Sequence, residues 1–75
     1  MIVSFELWDL ETGNALGEYE READAVAVVR YNVRTHGPSV VQGIALLAVD
    51  ANGGSRIVAQ GEALLQIVLQ RTATG

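Results

Sequence analysis

The seven residues from Gly43 to Val49, Gly-Ile-Ala-Leu-Leu-Ala-Val, constrain this chain more than any other stretch. Side chains along a strand alternate between the two faces of its sheet, so a strand that is apolar at odd and even positions alike needs cover on both sides. One layer of helix supplies cover on one side only. The other side calls for a second helix or a second subunit, and the sequence thereby speaks about assembly before it speaks about chemistry.

Size points the same way. A chain of 75 residues makes one domain that hides only about 60% of the surface its unfolded form exposes. Folds this small usually lean on disulfides, a metal or oligomerisation. With no cysteine and a single histidine, His36, the first two supports are closed. Hydrophobic residues make up 49% of the chain, more than a two-layer domain of this size easily covers. A homo-oligomer is expected, a homodimer first. The apolar runs Gly43 to Val49 and Ala63 to Leu69 fall far short of the roughly 20 residues a membrane crossing needs. Met1 is followed by no basic region. The expectation is a soluble, cytoplasmic protein with no membrane partner.

Net charge is −4, unevenly spread. Residues 1–24 carry seven acids against Arg21 alone, whereas residues 25–75 carry four arginines against two acids. An acidic front end disfavours bulk attraction to nucleic acid or anionic lipid and favours a basic protein surface if it favours any.

Periodicity divides the chain into six elements. Ile2 to Trp8 alternates as a half-buried strand, Asp9 to Asn14 with Gly13 reads as a hairpin connection, and Ala15 to Glu20 returns. A three-residue loop at Glu11, Thr12 and Gly13 sets Phe5 opposite Tyr19, Glu6 opposite Glu18 and Trp8 opposite Leu16. Glu22 to His36 has a helical stripe at Ala25, Val26, Val29 and Val33 and stops at Gly37-Pro38. Gly43 to Asp50 and Arg56 to Gln60 form a second hairpin around Asn52-Gly53-Gly54-Ser55. Glu62 to Gln70 reads as a helix capped by Gly61, with strand as the alternative, and 72–75 as a flexible tail behind a single domain of residues 1–71. The fold expected is α+β, order ββαββα, an antiparallel sheet with the first helix on one face and the second helix, a second subunit or both on the other.

Catalytic readings fail for want of parts. A nucleophile needs a base held by a third group, and His36 stands at a helix end, where a cation simply suits the dipole. Ser4, Ser39 and Ser55 lie in a strand or turns without an elbow motif. Glu6, Glu18 and Glu20 can share a face, but no calcium-loop pattern accompanies them. Asn52-Gly53-Gly54-Ser55 lacks the following helix and the Lys of a phosphate loop. The chain is therefore read as no enzyme, with no cofactor, no metal site and no catalytic residue.

Two surfaces remain. Trp8 and Leu16 flanked by Glu6 and Glu18, extended by Leu47, Val49, Leu65 and Val68, make a candidate protein interface, since a Trp among acids suits an apolar or Arg-bearing partner. Arg30 and Arg34, one helical turn apart, make with Arg71 a candidate contact for anions or nucleic acid. Five cations and four aromatics in all are few for a nucleic-acid surface.

Trp8-Asp9, Thr12-Gly13-Asn14, Tyr19, Glu22-Ala23, Gly37-Pro38 and Gly61-Glu62-Ala63-Leu64, in this order, resemble a class of small uncharacterised bacterial proteins with a hairpin, helix, hairpin layout. That resemblance spans most of the chain and implies no activity. Over Phe5 to Val33 the chain is more loosely similar to the arm-type DNA-binding domain of tyrosine integrases, in which a Gly-containing hairpin leads through Glu-Ala into a helix. Those arms are basic and this hairpin is acidic, so DNA binding and its residues do not carry over. The function expected is a small non-catalytic binding or regulatory module acting as a homo-oligomer. The alternative is a nucleic-acid-associated, antitoxin-like regulator using the arginine ridge.

Overall fold

In the computed structural model, which describes residues 1–74 and side chains through Gln70, the chain runs β1 (Ile2–Asp9), β2 (Asn14–Tyr19), α1 (Glu22–His36), a 3-10 segment (Pro38–Gly43), β3 (Ile44–Asp50), β4 (Ser55–Gln60) and α2 (Glu62–Thr74). Each hairpin is closed by the aspartate that ends its first strand. Asp9 Oδ1 accepts the Glu11 N–H at 2.9 Å, while Gly13, at φ 73°, donates its N–H to the Asp9 carbonyl at 2.8 Å. Asp50 Oδ1 likewise accepts the N–H groups of Asn52 and Gly54 at 2.9 and 3.1 Å. A short carboxylate bonded to the backbone two residues on is a turn in itself, which is why both reversals fall where they do.

The helices start and stop for equally local reasons. Arg21 precedes α1 in extended conformation without a side-chain cap, and its carbonyl accepts the Asp24 and Ala25 N–H groups at 3.1 and 3.4 Å. Its Nε donates to Asp24 Oδ2 at 3.3 Å, an exposed pair that contributes at most about 0.5 kcal/mol. At the far end Gly37 donates its N–H to the Val33 carbonyl at 2.8 Å, and Pro38 ends the helix. The Gly61 carbonyl receives the Leu65 N–H at 3.0 Å and opens α2, so the ambiguous C-terminal stretch is helical. That helix continues through Thr74, over positions expected to form a tail, and Gly75 lies outside the described residues.

The four strands form one antiparallel sheet in the order β2-β1-β3-β4. The register places Phe5, Leu7, Ile44, Leu46, Ala48 and Ala59 on one face. Against it pack Ala25, Val26 and Val29 of α1 and Leu64 and Val68 of α2, all fully buried, with Val41 of the 3-10 segment between them. Both helices therefore lie on the same face. Of the two covers expected for the opposite face, the second helix is not there. The reason is width: four strands about 4.8 Å apart make a sheet roughly 15–20 Å across, and one helix of about 10 Å diameter roofs half of it. The molecule is 17 Å in its thinnest dimension, the depth of one sheet and one helix layer.

Both edge strands are bulged. On β2 the pairing jumps from Leu7 with Gly17 to Trp8 with Ala15, leaving Leu16 as the extra residue. On β4 it jumps from Leu46 with Ala59 to Leu47 with Ile57, leaving Val58 extra and packed against the core. Phe5 with Tyr19 and Glu6 with Glu18 pair as the turn chemistry predicts, whereas Trp8 faces Ala15 rather than Leu16.

Beside the first bulge, the Tyr19 ring lies across Gly17, where an added Cβ would sit 2.5 Å from the phenolic oxygen and 2.9 Å from Cζ. Gly17→Ala is expected to destabilise the protein by about 1 kcal/mol, because a half-buried ring must give way. Once Tyr19→Ala removes the ring, the same substitution should stabilise by roughly 0.5 kcal/mol, the ordinary advantage of alanine over glycine in a strand. Urea denaturation of the four proteins of this cycle checks the change of sign.

Candidate functional site: the uncovered face of the sheet

The face turned away from the helices is built by alternation. On β1 it carries Ser4, Glu6 and Trp8, on β3 Ala45, Leu47 and Val49, and on β4 Ile57, with Glu18 at the β2 edge. In register these form three cross-strand rows. Glu18, Glu6, Leu47 and Ile57 make the middle one, Trp8, Ala45 and Gln60 lie to one side of it, and Ser4, Val49 and Ser55 to the other.

Burial within the row of Ala45 is local: the alanine is 1% exposed between the larger Trp8 and Gln60 side chains. Leu47, Val49 and Trp8 are half-buried, and Ile57 is 54% exposed. Among the described residues, no element of the fold lies over them. The ribbon thus has a sealed side under Val26, Val29 and Leu64 and an unroofed side where its leucine and valine rest only on their neighbours.

Charge on this face is one-sided. Glu6 and Glu18 stand directly opposite each other on β1 and β2, a like-charge pair that costs on the order of a few tenths of a kcal/mol to about 1 kcal/mol. The Glu6 carboxylate is partly engaged, since Trp8 Nε1 donates to Glu6 Oε1 at 3.0 Å. That bond fixes the indole edge on its own strand and satisfies its one donor, leaving an amphipathic ring standing on the sheet. The surface divides into an acidic half on β1 and β2 and an apolar half on β3 and β4, with Trp8 between them.

The residues expected in this interface separate. Trp8, Glu6, Glu18, Leu47 and Val49 share the face. Leu16 does not: the bulge turns it from Trp8, and it lines a cleft on the helix side with Leu7, Tyr19 and Val28. Leu65 packs against the core and Val68 is 1% exposed within it, because α2 lies beside α1 and not across the sheet. Ile57 belongs to the face and was missed. The alternation Arg56-Ile57 across the Asn52-Gly53 turn from Leu47 is the signal that could have found it.

Arg30 is half-buried and Arg34 exposed, one turn apart along α1, with Tyr31 67% exposed beside them. The Arg71 side chain lies outside the described residues. Among the described residues no three His, Cys, Asp or Glu side chains are grouped to hold a metal ion, and no helix is long and apolar enough to cross a membrane. No family model, curated protein or solved structure matches this chain.

Proposed function

We propose that this protein is a small non-catalytic binding or regulatory module that acts as a homo-oligomer, with the uncovered sheet face as its contact surface. The observation that carries this reading is the row Leu47 and Ile57 beside Val49 and Trp8, apolar side chains on a face that no described part of the chain roofs. A second copy packed sheet to sheet removes that surface from water at about 25 cal/mol per Å² of apolar area. Aligned sheets about 10 Å apart interdigitate such side chains without disturbing either helix layer.

Sedimentation equilibrium at micromolar concentration tests the reading, with Trp8, the sole tryptophan, as an internal reporter. Association is expected, with Trp8 emission moving to shorter wavelength as concentration rises. Ile57→Glu and Leu47→Glu, which leave the helix-side core untouched, should each weaken association roughly 30-fold or more, as removal of an interface anchor does. Arg34→Glu on α1, across the molecule from this face, should leave it unchanged. A wild-type monomer throughout the range, or association indifferent to both sheet-face variants, overturns it.

A further inference from the structure

A cleft of about 660 Å³ opens on the helix side of the molecule, between the tip of the first hairpin, the second half of α1 and the 3-10 segment. At its edge the Leu10 N–H, donating to the Gly43 carbonyl at 2.8 Å, ties the hairpin tip to the far end of the 3-10 segment. The volume lies within the range of small-molecule pockets, about 300–1,000 Å³.

Three features of its wall bear on what would fill it. Its floor is apolar, made by Leu7, Ile44, Val28 and Val40. Its mouth carries Leu10 and Leu16, 47% and 54% exposed, one in a turn and one on a bulge, positions where no packing within the chain calls for leucine. Its charge is of one sign: Asp9 and Glu11 line it, and among the described residues no Lys, Arg or His does. The polar side chains add acceptors. Asn32 spends its Nδ2 on the Val28 carbonyl at 2.9 Å, which leaves its amide oxygen to a ligand.

We propose that this cleft binds a small organic cation with an apolar body, an alkyl- or arylalkyl-ammonium. The apolar body lies on Leu7, Val28 and Val40 under the flanking leucines, and the ammonium, a donor with no acceptor of its own, meets Asp9, Glu11 and the Asn32 oxygen. Anions and neutral isosteres lack the second half of that fit. The site is on the opposite side of the sheet from Trp8 and does not depend on self-association.

The test is titration of the ¹⁵N-labelled protein with phenethylammonium, and in parallel with phenethyl alcohol and 3-phenylpropionate as the neutral and anionic isosteres. Amide shifts are expected at Leu10, Leu16, Asn32 and Val40, with the cation bound roughly fivefold more tightly than the alcohol at low salt and the carboxylate weakest. Asp9→Asn keeps an oxygen for the Glu11 N–H, so the turn survives; combined with Glu11→Gln it should erase the preference for the cation while leaving weak binding of the alcohol. Ser39→Trp, which fills the mouth, should abolish both. Equal binding of all three probes, or shifts at Trp8 and Leu47 in place of the cleft, overturns the proposal. Shifts at Leu10 and Leu16 that grow with protein concentration alone overturn it too, because a second copy then occupies the cleft.

Discussion

Leu46→Ala is expected to remove about 2–5 kcal/mol of folding stability, the range for emptying a fully buried leucine site. Leu46 is 0% exposed at the centre of the core cluster, paired with Leu7 on one side and Ala59 on the other beneath both helices. A chain of 75 residues has only about 4–11 kcal/mol in total, so the variant stands at the edge of unfolding. Its melting temperature should fall by roughly 4–8 °C for each kcal/mol lost. Leu47→Ala, one residue on, is the decisive comparison. Its side chain stands on the other face and is already half-exposed, so in dilute solution it should cost less than about 1 kcal/mol while weakening self-association. Urea denaturation followed by circular dichroism, at a concentration where the protein is monomeric, compares them directly. Equal losses would mean that the two faces are not sealed and open as described.

Gly37→Ala is expected to cost about 1–3 kcal/mol although it neither empties a packed site nor crowds a neighbour. Gly37 joins α1 to the 3-10 segment at φ 94° and ψ 162°, a conformation that side-chain-bearing residues avoid, and a Cβ there would meet nothing within 4 Å. The whole penalty is therefore backbone strain. Gly43→Ala, at the other end of the same segment, also meets nothing within 4 Å and has no positive φ. It should be neutral or stabilise by about 0.4–1 kcal/mol through the unfolded state. Thermal melts of the two variants separate conformational strain from crowding, and equal melting temperatures would refute the assignment.

Those glycines also show what could be read from the residues alone. Gly37-Pro38 ends α1 because chain chemistry there permits nothing else, and Gly13 after Asp9 sets a register in which Phe5 meets Tyr19. Order, antiparallel pairing and both helices followed from such local signals. Two features did not. The bulge that takes Leu16 from Trp8 is marked by no residue in the turn, and in the folded chain it accompanies a Tyr19 ring laid across Gly17. The side on which α2 lies is settled by the width left uncovered beside α1, and the periodicity of Leu64, Leu65 and Val68 marks a buried stripe without saying beneath which surface it is buried. The interface expected from Leu65 and Val68 dissolves for that reason, whereas the part drawn from strand alternation, Trp8 with Leu47 and Val49, stays on one face.

The irregular pairing of both outer strands limits how copies of this protein can add to one another. A smooth border of unpaired amides and carbonyls would template strand after strand into an open-ended ribbon, but the kinks at Leu16 and Val58 spoil that template on either flank. In the proposed assembly, contact is left to the broad surface around Leu47, and two molecules packed there would turn their helical backs outward. A pair of the proposed kind would be closed, with no like surface left over to propagate the contact into a fibre.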